Sequence, residues 1–193
     1  MVKDEWLIAF APITLLSAGG FLAVNFLQNR ESTGDLDYFL EPQWADDMDI
    51  KQPLHDAMRR TAKLLGFAGG WVNEEMSFFV KQGSRQRLFE EAERQQIILW
   101  EGTNLRVLAL PLEWALERKL RRIHNNMQTS KRESDIDDAL ALLRYLRAKN
   151  EGPLGRKYIQ ALNICSTEMP PDNATMDVIT RAYQTKYNED PFH

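Results

Sequence analysis

The sequence predicts an α/β chain of the α+β kind: a small mixed-sheet core over residues 1–110, followed by a helical C-terminal region over 111–193 packed on that core. Three observations point there. Apolar runs such as Ile13 to Ala18 and Leu36 to Leu40 have strand length and are bounded by Gly or Pro. Two further runs, 96–100 and 105–110, flank Glu101-Gly102-Thr103-Asn104 and read as a hairpin. After Pro111 the apolar spacing becomes helical and stays helical.

In chain order, residues 4–11 read as a helix that Pro12 ends. Residues 13–18 form a buried strand, and 21–28 a helix that opens at Gly19 and Gly20. Residues 36–40 form the second strand, stopped before Pro42, and 43–49 a polar loop. From Leu54 to Leu65 the apolar positions recur with helical spacing until Gly66 and the pair Gly69-Gly70. A short strand is expected at 77–80 and a short helix at 88–94, before the hairpin. Helices are expected at 112–127, 135–149, 154–165 and 173–187.

Composition sets the class. The 193 residues are 44% hydrophobic and 27% charged, as in ordinary globular proteins. A net charge of −4 argues against a general nucleic-acid coat protein and leaves a local basic groove open. The lone Cys165 allows neither an internal disulfide nor a Cys-rich zinc site, and three histidines do not suggest one. A reducing, intracellular and cytoplasmic setting is the expectation. Trp6 to Leu27 is almost uncharged and about as long as a membrane span. However, Pro12, Gly19, Gly20 and Asn25 interrupt it, and Lys3 is followed by Asp4 and Glu5. A buried helix–strand–helix explains the same run, so no membrane partner is expected.

The densest chemical signal is Arg30-Glu31-Ser32-Thr33-Gly34-Asp35-Leu36-Asp37. Residues i and i+2 of a strand share a face. Asp35 and Asp37 would then crowd one spot, which is costly without a cation between them. Mg²⁺ is the natural occupant for paired carboxylates. Upstream, Gly19 and Gly20 would let main chain approach a phosphate closely. In the helical region, Leu112, Leu116, Ile123 and Met127 lie on one arc, and Lys119 falls inside it, with Arg122 at its edge. An inward lysine needs an anion. Two remain open: a bound triphosphate, or Asp135 or Asp138 at the start of the next helix. Those acids also suit a first helical turn, with Ser134 as a cap.

Glycine pair, helix, then Ser/Thr-x-Asp-x-Asp is an order that resembles the nucleotidyltransferases of the DNA polymerase β-like superfamily, most closely their AbiEii-like branch. Lys119 in Leu116-Glu117-Arg118-Lys119-Leu120, the helix opening Asp135-Ile136-Asp137-Asp138, and Gly70-Trp71-Val72-Asn73-Glu74 extend the resemblance over residues 13–146. It implies a nucleotidyltransferase core and transfer of a nucleotidyl group from an NTP to a hydroxyl of a protein, RNA or small molecule. It implies Mg²⁺ on Asp35 and Asp37, nucleotide contacts from Gly19, Gly20, Thr33, Lys119 and Arg122, and Asp135 positioning Lys119. One departure stands out. The superfamily usually adds a third carboxylate on a later strand, yet 96–100 and 105–110 contain no acid; Glu101 ends one, and Glu74 and Glu75 precede a different run. The same fold retained without catalysis, binding a nucleotide or a protein partner, is therefore the alternative expectation.

Overall fold

The computed structural model describes residues 5–125, 131–164 and 169–193, apart from the side chains of Trp6 and Gln82. The chain divides at Leu110/Pro111 into two compact units.

The first unit is organised around β1 (Ile13–Ser17), buried at all five positions. Such a run needs cover on both faces and neighbours on both edges. On one edge it pairs antiparallel with β2 (Leu36–Leu40), Leu15 opposite Leu40 and Ser17 opposite Tyr38. On the other it pairs parallel with β5 (Leu105–Ala109), Ile13 beside Leu105 and Ser17 beside Ala109. β4 (Ile98–Glu101) adds antiparallel to β5, with a bulge between Ile98 and Trp100. β3 (Val72–Asn73), a strand of two residues, adds parallel to β2. The sheet order is β3-β2-β1-β5-β4, and the chain is a mixed α/β protein of the α+β class.

The apolar N-terminal stretch is broken into α1 (Glu5–Ala9), β1 and α2 (Gly19–Leu22), which runs on as a π-helical turn, Ala23–Leu27. Among the described residues no helix is long and apolar enough to cross a membrane. α3 (Met48–Leu65) begins before the expected 54, inside the segment expected to be loop. The Asp47 side chain accepts from Asp49 N at 2.9 Å and caps the helix, so it starts upstream of Pro53 and carries that proline within it. At the other end Gly66 adopts φ +72, and Phe67 N returns to Ala62 O.

The strand expected at 77–80 does not form. Glu75–Phe79 is a 3₁₀ helix, because Asn73 Oδ1 accepts from Glu75 N at 3.0 Å and Ser77 N bonds Glu74 O at 2.9 Å. These local bonds curl the chain as soon as it leaves β3. α4 (Arg85–Gln95) leads into the expected hairpin.

The second unit is built from α5 (Leu112–Asn125), α6 (Arg132–Lys149), α7 (Arg156–Gln160) and α8 (Asn173–Tyr187). The helix expected over 154–165 is only the five residues of α7. Arg121 donates to Leu162 O at 2.7 Å and Glu117 accepts from Ile164 N at 2.7 Å, so α5 side chains satisfy the main chain beyond α7. Met127 and Cys165 lie outside the described residues.

Candidate functional site

Antiparallel pairing puts the end of β1 beside the start of β2, and this assembles the glycines with the acidic segment. Ser17 Oγ donates to Asp37 O at 2.7 Å, clamping the two strand ends together. Immediately beyond, Gly19 turns with φ +63, a conformation that disfavours side chains. A Cβ placed on Gly19 would lie 3.9 Å from Asp37 Oδ2, so this bend and the carboxylate are neighbours. Gly20 is tighter still: its Cβ would meet Thr33 Oγ1 at 2.1 Å and Thr33 Cβ at 2.9 Å. Main chain at Gly20 thus lies flat against Thr33, a closeness only glycine permits.

The two aspartates are not equivalent. Strand β2 begins at Leu36, whose N–H bonds Trp71 O at 2.7 Å; Asp35 precedes it, still in the turn. Thr33 Oγ1 donates to Asp35 O at 3.1 Å and lies 3.4 Å from Asp35 Oδ1, which holds that turn. The expectation that Asp35 and Asp37 share a strand face is therefore corrected: only Asp37 is a strand residue, half-buried, while Asp35 is exposed. Asn73 stands beside Asp37 in the parallel β2–β3 register.

Asp35, Thr33 and Leu36 also line a cleft of about 250 Å³ with Phe21, Phe67 and Trp71. The Phe67 and Trp71 rings lean together, centroids 4.9 Å apart at 50°. From the sequence, Trp71 stands out only within the stretch Gly70 to Glu74, and Phe67 is not singled out. The available signal was Phe67 standing between Gly66 and Gly69, where an aromatic on a glycine-rich turn finds little to bury it.

On the other side of β2, Tyr38 is buried and its hydroxyl lies 3.0 Å from His55 Nε2 and 3.7 Å from Met58 Sδ. Burial, reinforced by the Glu74 charge, pushes its phenol well above the usual range. Glu74 itself pairs with Lys51 at 2.9 Å. Glu101 ends the edge strand β4, across from Arg106 of β5, so two strands, β5 and β1, separate it from β2. The part of β5 level with the end of β1, Leu108 and Ala109, is apolar and buried. No group of three or more acid, histidine or cysteine side chains suited to a metal ion occurs among the described residues.

In the second unit, Lys119 is buried on the inward arc of α5 and meets two carboxylates, Asp135 Oδ1 at 2.8 Å and Asp138 Oδ2 at 2.6 Å. Arg122 reaches Asp135 as well, with Nε 2.8 Å from Oδ2 and its terminal nitrogen on Oδ1. Asp135 is thus gripped by two cations. Burial raises its carboxyl, but the Arg122 hydrogen bond and the Lys119 charge outweigh this and hold it below the usual carboxylate range. Of the two anions left open for Lys119, the structure supplies the protein's own carboxylates. Ser134 does not cap α6; its hydroxyl donates back to Lys131 O at 2.9 Å.

Gly19, Gly20, Thr33, Asp35 and Asp37 are therefore brought together within the first unit, and Lys119, Arg122 and Asp135 within the second. No protein-family profile, no curated protein and no solved structure matches the chain.

Proposed function

We propose that this chain is a magnesium-dependent nucleotidyltransferase-like protein that moves a nucleotidyl group from an NTP to a hydroxyl of a protein, RNA or small molecule. The observation that carries the reading is the left-handed bend at Gly19 lying against the Asp37 carboxylate. Bare main chain beside a carboxylate suits a ligand that is both a polyanion and a cation carrier.

The donor chemistry fits Mg²⁺, which takes one or two protein carboxylates, keeps several waters and shares substrate phosphates. Asp35 and Asp37 would hold it, and when bound it would neutralise phosphate charge. Gly19 and Gly20 admit the phosphates, and Thr33 fixes the turn that aims Asp35. An intracellular, cytoplasmic setting follows from this substrate, and a protein acceptor would also be a protein partner.

A second reading, nucleotide binding without transfer, is favoured by one observation: the β5 end that flanks β1 is apolar where a third acid would be expected. Incubation with NTPs labelled at the α-phosphate, Mg²⁺ and a panel of acceptors separates the readings. Transfer that needs Mg²⁺ and disappears in Asp35→Ala/Asp37→Ala supports the enzyme. A Mg²⁺-dependent thermal shift without transfer supports the binding module, and no shift with any NTP refutes both.

A further inference from the structure

The cleft beside Asp35 is unused by the phosphate chemistry above. Its apolar lining is aromatic: Phe21 comes one residue after Gly20, and Phe67 and Trp71 come from the loop between α3 and β3. Phe67 is 48% exposed, a large apolar ring left uncovered by the described residues of its own unit. At about 250 Å³ the cleft is smaller than the clefts of about 300–1,000 Å³ that enclose whole drug-sized ligands. It suits a single planar ring system whose remaining atoms lie outside. Thr33 and Asp35 belong both to its lining and to the turn that faces the glycine bend. One molecule with a flat apolar ring at one end and phosphates at the other would span the two.

We propose that the Phe21–Phe67–Trp71 cleft binds the nucleobase of the nucleotide whose phosphates meet Asp35 and the Gly19 bend. The inference rests on the nucleotide reading of the carboxylate site and deepens it. It also makes a statement about specificity. The side chains that line the cleft are mostly aromatic and aliphatic, with Thr33 and Asp35 the polar ones. Every base has a π-face, so recognition by stacking tolerates all four, whereas hydrogen-bond readout would select one. The protein is accordingly base-tolerant.

The test is isothermal titration of the full chain with Mg²⁺ and each of ATP, GTP, CTP and UTP, and with inorganic triphosphate as the base-free probe. Phe67→Ala is the main variant, because its ring is the most exposed of the three and removing it disturbs the fold least. Trp71→Phe, which keeps a ring, is the second. The expected result is that all four NTPs bind more tightly than triphosphate, and that Phe67→Ala weakens each NTP roughly fivefold or more while triphosphate is unchanged. Trp71→Phe should retain most of the affinity. If triphosphate binds normally but Phe67→Ala changes NTP affinity by less than about twofold, the base does not sit here, and the carboxylate reading survives. If one NTP binds and the other three do not, base tolerance is wrong. If neither triphosphate nor any NTP binds, both readings fall together.

Discussion

Replacing Gly20 by alanine tests the assembly on which the candidate site depends. The added Cβ would lie 2.1 Å from Thr33 Oγ1 and 2.9 Å from Thr33 Cβ. Rotating the threonine moves the hydroxyl but not its Cβ, and unbonded carbons prefer about 3.5–4 Å. The turn at Thr33 must therefore back away from the bend. Overpacking of this kind costs about 1–3 kcal/mol. The Thr33–Asp35 hydrogen bond that the shift would strain is worth about 1 kcal/mol more, so a loss of about 2–4 kcal/mol is expected. Urea unfolding followed by tryptophan fluorescence reads it from the midpoint and slope. Two companions isolate the cause. Gly34→Ala, with nothing within 4 Å of its Cβ, should stay within about 0.5 kcal/mol of the parent. Thr33→Gly in the Gly20→Ala background removes both clashing atoms and should give a coupling energy of at least about 1 kcal/mol. If Gly20→Ala is as mild as Gly34→Ala, or the second substitution recovers nothing, bend and turn are not in contact.

Other outcomes follow from the second unit. Lys119→Met should destabilise by about 3–5 kcal/mol in calorimetry or urea, since it takes the buried ammonium from Asp138 and leaves Asp135 with Arg122 alone. Asp137→Ala, which breaks only the surface pair with Lys186, should cost under about 1 kcal/mol. Arg121→Met should cost a similar 3–5 kcal/mol, leaving Glu117 buried and Leu162 O without its donor; amide exchange near Ile164 should rise with it. Asp135 predicts an acid limb. A depressed carboxyl stabilises the fold above its unfolded value of about 3.9, and that contribution disappears as pH falls through the lower folded value. The stability lost between neutral pH and pH of about 3 should therefore be smaller in Asp135→Asn than in the parent.

Much of the fold is legible because its signals are local. Pro12, the glycines at 19 and 20, and Pro42 punctuate runs of strand length, and β1 and β2 fall where those runs lie. The departures also have local causes of a kind that periodicity does not weigh. Pro53 argues for a late helix start, but the Asp47 cap allows α3 to begin upstream of it. Ser77 to Val80 has strand composition, but the Asn73 side chain's bond to Glu75 N and the Ser77 N bond to Glu74 O curl the chain into a 3₁₀ turn. Lys119 was legible as inward from the 100° spacing alone. Its two carboxylate partners were candidates, and their selection required the packing of α6 on α5.

By itself the sequence determined the class of β1, β2, the β4–β5 hairpin and the long helices, the change of character at Pro111, and the residue types gathered around Asp35 and Asp37. These follow from periodicity and from residues that stop or bend a chain, which act over a few positions. Tertiary structure decided what those residues touch. Gly20 against Thr33, Asp37 beside the Gly19 bend, and Phe67 with Trp71 beside Asp35 all depend on β2 returning antiparallel along β1 and on β3 joining its far edge. Strand order and register are properties of the whole sheet, set by which faces can be buried together, and no short stretch of sequence carries them.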